Sequence, residues 1–310
     1  MAKARKGRPI NGILVLDKPP GRSSNGAMVV ARAIYHATKA GHTGALDPLA
    51  TGVLPVCFGE ATKFSQYLLD ADKEYRSTFV FGQQTDTGDA EGEILAEQDA
   101  SNITAEQLEV QIDKLRGDIL QVPPMYSALK RDGKPLYALA RKGITVEREA
   151  RPVTIREFEL ESFTAGPLAQ AVVRVVCTKG TYIRSLAEDL GAALGVGAHV
   201  ATLRRLQAGP FCEQQVVTTE AIQALRDAGD FEGLDALLLP ITDALGHMNT
   251  LILGDTAAYY VRQGQAVQIS GAPSEGLVVL LSKDSGEFMG IGEILDDGRV
   301  TPRRLLSTMG

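Results

Sequence analysis

The chain has 310 residues, 44% of them hydrophobic and 23% charged. That is the balance of a globular protein with core enough for about two domains, at roughly 150 residues each. No run approaches about 18 consecutive apolar residues, and no apolar stretch follows the basic start, so neither a membrane span nor a secretory signal is expected. Three scattered cysteines (Cys57, Cys177, Cys212) form no CxxC pair and argue against a zinc site or a disulfide framework; a reduced, cytoplasmic protein is expected. The net charge of −6 hides blocks: residues 86–113 hold nine acidic and no basic residues, while 130–156 hold eight basic and three acidic. An acidic chain can thus still present an electropositive face.

In chain order, Gly12–Lys18 is a short branched apolar run stopped by Pro19-Pro20-Gly21, and it reads as a strand and turn. Ser23 or Ser24 can cap a helix whose face carries Ala27, Val30, Ala31 and Ile34. Gly41–Gly59, rich in Gly, Pro and small residues, reads as a structured loop. Tyr75–Gly82 reads as a strand, and Thr85–Gln98 as an acidic loop. Thr104-Ala-Glu-Gln107 resembles a capping box opening a helix to about Leu115. Gln170–Cys177 is a β-run. Tyr182–Leu194 has helical spacing and stops at Gly195. Ala221–Leu225 and Leu234–Leu238 read as short helices. From about residue 250, short β-like runs (Ala266–Ile269, Gly276–Leu281, Phe288–Leu295) alternate with Gly, Asp and Ser turns. The expected division is an α/β body over 1–249 and a small β-rich domain over 250–310.

Motifs for common cofactors are missing. There is no P-loop, and Gly195-Val-Gly197 is a dinucleotide fragment placed after a helix rather than a strand. The four histidines lack metal-ligand spacing, so no cofactor and no metal is expected. What stands out is Gly41-His-Thr-Gly-Ala-Leu-Asp47-Pro-Leu-Ala-Thr-Gly52-Val-Leu-Pro55, in which glycines, prolines and apolar residues surround one carboxylate. Pro48 biases Asp47 toward an extended backbone, and Leu46, Leu49, Val53 and Leu54 should pack the loop. A carboxylate held so rigidly is poised as nucleophile, general base or metal ligand; a plain Asp-Pro turn is the alternative.

That segment resembles the catalytic motif of the TruB family of tRNA pseudouridine synthases. Further colinear segments resemble the family as well: Lys18-Pro19-Pro-Gly-Arg-Ser23-Ser, Phe58-Gly-Glu-Ala-Thr-Lys63, Lys73-Glu-Tyr75, Pro123-Pro-Met-Tyr126-Ser-Ala-Leu-Lys130, Lys179-Gly-Thr-Tyr182-Ile-Arg184, and Gly197-Ala-His199 through Leu203-Arg-Arg-Leu206. The match spans about residues 11–210 and is weaker toward a C-terminal PUA-like module.

The resemblance implies an α/β (α+β) fold: a mixed, mostly antiparallel sheet body with a small C-terminal β-rich PUA-like RNA-binding domain. It implies isomerisation of uridine-55 in the TΨC stem-loop of tRNA, with Asp47 as nucleophile. Whether the route runs through a base adduct, an acylal or a glycal is left open. Arg184 is expected to pair with Asp47 and keep it ionised, and Tyr75 to stack on the base. Tyr182 and Leu203 should line the uracil pocket. His42 should hold the flipped loop, and Lys18 and Pro19 should support the catalytic loop. A buried uridine must be flipped out to react. The basic stretch containing Lys130, Arg141 and Lys142, with the N-terminal arm, is expected to track phosphates. No protein partner is implied, so a monomer is expected. The other class of reading is a tRNA-folding chaperone in which catalysis is secondary.

Overall fold

The computed structural model describes residues 7–131 and 133–307. The basic arm at Lys3, Arg5 and Lys6 lies outside them. The body is built on one twisted sheet. Its path runs Val217–Thr218, Gly12–Lys18, Thr51–Phe58, Ala198–Ala208, Lys73–Phe81, Gln170–Cys177, Arg151–Thr164, Gly117–Gln121. Two short strands, Ala40–His42 and Phe211–Cys212, pair off this path. Only two contacts along the path are parallel: Val217–Thr218 with Gly12–Lys18, and Thr51–Phe58 with Ala198–Ala208. The sheet is therefore mostly antiparallel, as expected.

Helix Ser24–Ile34 begins at Ser23, whose side chain accepts from the Gly26 N–H at 3.1 Å. Its buried face packs with Leu14, Leu54 and Phe58 of the sheet. Helix Ala105–Lys114 opens on the capping box at Thr104 and Gln107. Helix Ile183–Leu194 ends at Gly195, whose φ of 76° is the left-handed cap that a glycine allows. Both helices cover Phe79, Phe81, Val173 and Val175 in the largest core cluster.

A second sheet follows Asn249: Asn249–Leu253, Leu277–Ser282, Phe288–Ile294, Arg299–Leu305, Val267–Gln268. A helix, Asp255–Arg262, packs against it, where only β-runs were expected. The two sheets share a core, with Val279 and Ile291 packed among Ile13, Val53 and Phe64.

Three expectations need correction. Gly41–Gly59 is not one loop: Thr51–Phe58 is a central strand, buried from Gly52 onward. A strand covered on both faces shows an unbroken apolar run rather than alternation, and Gly52 and Pro55 disguise it further. Thr85–Gln98 contains a hairpin arm, Ile94–Glu97, paired with Gln83–Thr85. The helix read at Leu234–Leu238 lies at Phe231–Ala236, capped by Asp230. No helix among the described residues is long and apolar enough to cross a membrane.

Candidate active site

Asp47 sits on the connection between strands Ala40–His42 and Thr51–Phe58. A loop this rich in glycine loses much entropy on ordering, so it needs external anchors. Ser24 supplies one: its hydroxyl accepts from the Leu46 N–H at 2.7 Å and donates to the Leu46 carbonyl at 3.1 Å. Lys18, fully buried at the end of its strand, donates to the carbonyls of Pro19 (3.0 Å), Pro48 (3.1 Å) and Ala50 (2.6 Å). The Gly21 N–H donates to the Pro48 carbonyl at 2.9 Å, which joins the Pro19-Pro20-Gly21 turn to the same loop.

Arg184 occupies the first turn of helix Ile183–Leu194 and is buried. Its Nε lies 2.9 Å from Asp47 Oδ2 and 3.8 Å from Asp89 Oδ2. Its Nη1 donates to the Thr87 carbonyl at 2.6 Å and its Nη2 to the Tyr126 carbonyl at 2.7 Å. The guanidinium is thereby held by Asp47 and two carbonyls, with the Asp89 carboxylate farther off. Tyr182 caps the helix, and Gln121 clamps it from both sides: its Oε1 accepts from the Tyr182 N–H at 2.7 Å and its Nε2 donates to the Tyr182 carbonyl at 3.0 Å.

Tyr75 and Leu203 come from the adjacent strands Lys73–Phe81 and Ala198–Ala208, in which Tyr75 is paired with Arg205 and Ser77 with Leu203. A cavity of about 310 Å³ is lined by Asp47, Arg184, Tyr75, Tyr182 and Leu203, together with Lys73, Ser127 and Arg205. That is the low end of the roughly 300–1,000 Å³ typical of small-molecule sites.

Burial raises the pKa of Asp47; Arg184 pulls it back down and Asp89 pushes it up again. Arg184 was expected to keep this carboxylate ionised; it pulls that way, but desolvation is the larger influence and the net direction is upward. Burial lowers Lys18 to about 8, with Asp47 opposing. Burial likewise lowers Lys73 to about 8.

Other expected residues lie elsewhere. His42 is on the strand before the loop and is absent from the cavity lining; its Nδ1 is buried with no hydrogen-bond partner among the described residues. Burial lowers its pKa and the Arg205 charge adds to this. Lys130, Arg141 and Lys142 are exposed on a separate insertion, a two-residue hairpin at Lys130–Arg131 and Lys134–Pro135 followed by helix Leu136–Ala140. Glu60 is hydrogen-bonded by Lys63 and by the Ser307 N–H.

Asp89, Gln121, Ser24 and Arg205 were not anticipated. Asp89 is masked by its acidic block, and Gln121 has no motif around it. The Arg204-Arg205 pair in an apolar run was the one visible signal.

These features place one half-buried carboxylate beside a buried arginine, in a cavity of about 310 Å³ within a mostly antiparallel sheet. Comparison with known proteins makes the class specific. Residues 32–183 match the model for the TruB family pseudouridylate synthase N-terminal domain. Residues 184–246 match the tRNA pseudouridylate synthase B C-terminal domain, and 250–306 the C-terminal model of pseudouridine synthase II TruB. A protein named tRNA pseudouridine synthase B from Saccharophagus degradans is 56% identical over 308 residues, 98% of each chain. Its namesake from Stutzerimonas stutzeri is 55% identical over 299 residues, 96% of each. Among solved structures, a Cbf5-Nop10-Gar1 complex matches with a TM-score of 0.71 at 26% identity, covering 95% of this chain and 84% of that one. An H/ACA RNP bound to a substrate RNA containing 2′-deoxyuridine shares the fold, with a TM-score of 0.72 at 24% identity over 99% and 92% of the two chains. The chain belongs to the TruB family of pseudouridylate synthases.

Proposed function

We propose that the protein isomerises uridine-55 in the TΨC stem-loop of tRNA to pseudouridine, as a cytoplasmic monomer, with Asp47 as nucleophile. The observation that carries this reading is the 2.9 Å Asp47–Arg184 pair inside the cavity, in a chain 56% identical to a tRNA pseudouridine synthase B. The target uridine leaves its stack and enters the cavity. Tyr75 packs on the base, with Tyr182 and Leu203 as walls. The N1–C1′ bond breaks, the uracil turns over, C5 bonds to C1′, C5 releases its proton and N1 takes one up, so no atom is gained or lost. Burial makes the Asp47 carboxylate more basic and more nucleophilic than an exposed one, and Arg184 keeps it aimed. His42 contacts the RNA around the extruded base. Lys130, Arg141 and Lys142 contact phosphates, supported by their exposure on a basic insertion.

The test is conversion of an unmodified tRNA transcript in EDTA, with pseudouridine mapped chemically. Wild type should convert position 55, and Asp47→Asn should bind the tRNA yet convert nothing. Failure of the wild type despite tight binding refutes the reading. Neutralising Lys130, Arg141 and Lys142 together should flatten the salt dependence of binding by about one unit of log–log slope per lost phosphate contact. An unchanged slope removes them from the RNA contact.

A further inference from the structure

Two arginines stand side by side on strand Ala198–Ala208 and are used differently. Arg204 faces carboxylates: Asp17 at 3.0 Å and Glu213 at 2.6 Å. Arg205 is 1% exposed, and among the described residues no carboxylate oxygen comes within 4.0 Å of it. Its Nε donates to the Val53 carbonyl at 2.7 Å and its Nη2 to the Gly44 carbonyl at 3.1 Å. Those carbonyls stand on either side of Asp47. One guanidinium therefore holds both ends of the loop that carries the carboxylate.

The other side of Arg205 faces Tyr75. The two residues are direct cross-strand partners, and both line the cavity. The Arg205 charge counteracts the burial that raises the Tyr75 phenol. The loop is shaped to admit the guanidinium. A Cβ on Gly44, whose φ is +71°, would lie 3.2 Å from Arg205 Nη1. A Cβ on Gly52 would lie 2.2 Å from the Arg205 carbonyl oxygen. A buried charge without a counter-charge is costly, and an apolar side chain of similar volume would relieve that cost. What an apolar side chain lacks is a planar fork that reaches two loop carbonyls from the strand position opposite Tyr75.

We infer that Arg205 is a positioning residue for the reaction: it sets the spacing between the loop bearing Asp47 and the ring of Tyr75. The inference rests on the functional reading above. It acts through those two groups rather than on the RNA, so its loss should reach turnover and leave RNA affinity alone. A misplacement of about 1 Å in reacting groups costs on the order of 100-fold in rate.

The experiment compares wild type, Arg205→Lys and Arg205→Met in steady-state isomerisation of a tRNA transcript, in RNA-binding titrations and in thermal melts. Lysine keeps the charge without the fork; methionine keeps volume alone. Both variants should melt cooperatively and bind RNA within about threefold of wild type. Both should turn over about 100-fold more slowly, with lysine no better than methionine by more than about threefold. A lysine variant within tenfold of the wild-type kcat overturns the inference, because charge alone then suffices. So does a loss confined to KM or RNA affinity, or the failure of both variants to fold, which would make Arg205 purely structural. Wild-type protein that converts no uridine refutes the functional reading instead, so the two failures are told apart.

Discussion

Replacing Lys18 with methionine removes a charge from a site where none of the side chain reaches solvent. The ammonium uses all three donors, on Pro19, Pro48 and Ala50, and Pro48 directly follows Asp47. Burial lowers its pKa from 10.5 to about 8. At about 1.36 kcal/mol per unit, the fold disfavours the charged form by about 3 kcal/mol. Between about pH 8 and 10.5 the unfolded chain keeps a proton that the native state has released, so stability rises with pH across that window. Methionine does not titrate. Urea melts of both proteins at several pH values from 7 to 10.5 should therefore show the wild-type unfolding free energy, minus that of the variant, climbing by about 3 kcal/mol in total. Lys73 titrates in the same range but is present in both proteins and cancels. Turnover should move the other way. A neutral amine has two donors for three carbonyls, so the wild-type kcat falls above about pH 8 as the loop loosens. The variant starts low and shows no such limb. A free-energy difference that stays flat or declines with pH refutes the reasoning.

Asp47→Asn should be relatively more stable at pH 7.5 than at pH 4. The folded pKa of Asp47 is raised, so the stability its protonated form contributes is lost as pH rises through that value, and asparagine avoids the loss; melting temperatures of both proteins at the two pH values check this. Arg184→Met should leave Asp47 and Asp89 facing each other without their shared cation. It should abolish conversion and cost about 3–5 kcal/mol at neutral pH in denaturant titrations, nearer the lower figure because the Asp47 side chain is 37% exposed. Gln121→Leu removes both hydrogen bonds to the Tyr182 backbone and should cost about 1–3 kcal/mol, with kcat reduced more than RNA affinity; an unchanged kcat would show that the Tyr182 cap holds without it.

The strands and helices with ordinary signals were legible in the sequence: Gly12–Lys18, the Thr104 capping box and the Gly195 stop all lie where local chemistry puts them. Thr51–Phe58 was not, because a doubly buried strand lacks the alternation that betrays a half-exposed one. Arg151–Thr164 and Ala198–Ala208 were missed for a different reason. Their charged residues, such as Arg156, Glu157, Arg204 and Arg205, break the apolar runs. In the site, motif residues were legible because they are contiguous. Tyr75, Asp47 and Arg184 meet in one cavity although they lie far apart in the chain. Their supports were not legible: Ser24, Gln121 and Asp89 act through backbone groups or a shared cation, and no local pattern marks such partners.

The same supports explain why this site carries so many buried charges. A glycine-rich loop has no intrinsic preference for one conformation, yet the proposed attack by Asp47 needs one. The sheet supplies rigid strands for Tyr75 and Leu203, but Asp47 lies off the sheet and must be tied to it. Lys18, Ser24 and Arg205 do this from three segments, and each grips main-chain atoms of the loop rather than the carboxylate itself. Among the described residues, the ion pair to the carboxylate comes from Arg184. Loop geometry and the state of the carboxylate are thereby assigned to different side chains: desolvation lets Lys18 release its proton above about pH 8, and desolvation also raises the pKa of Asp47. An apolar residue at Lys18 or Arg205 would escape the cost of burying a charge, but it would lose the ties that give Asp47 a single position.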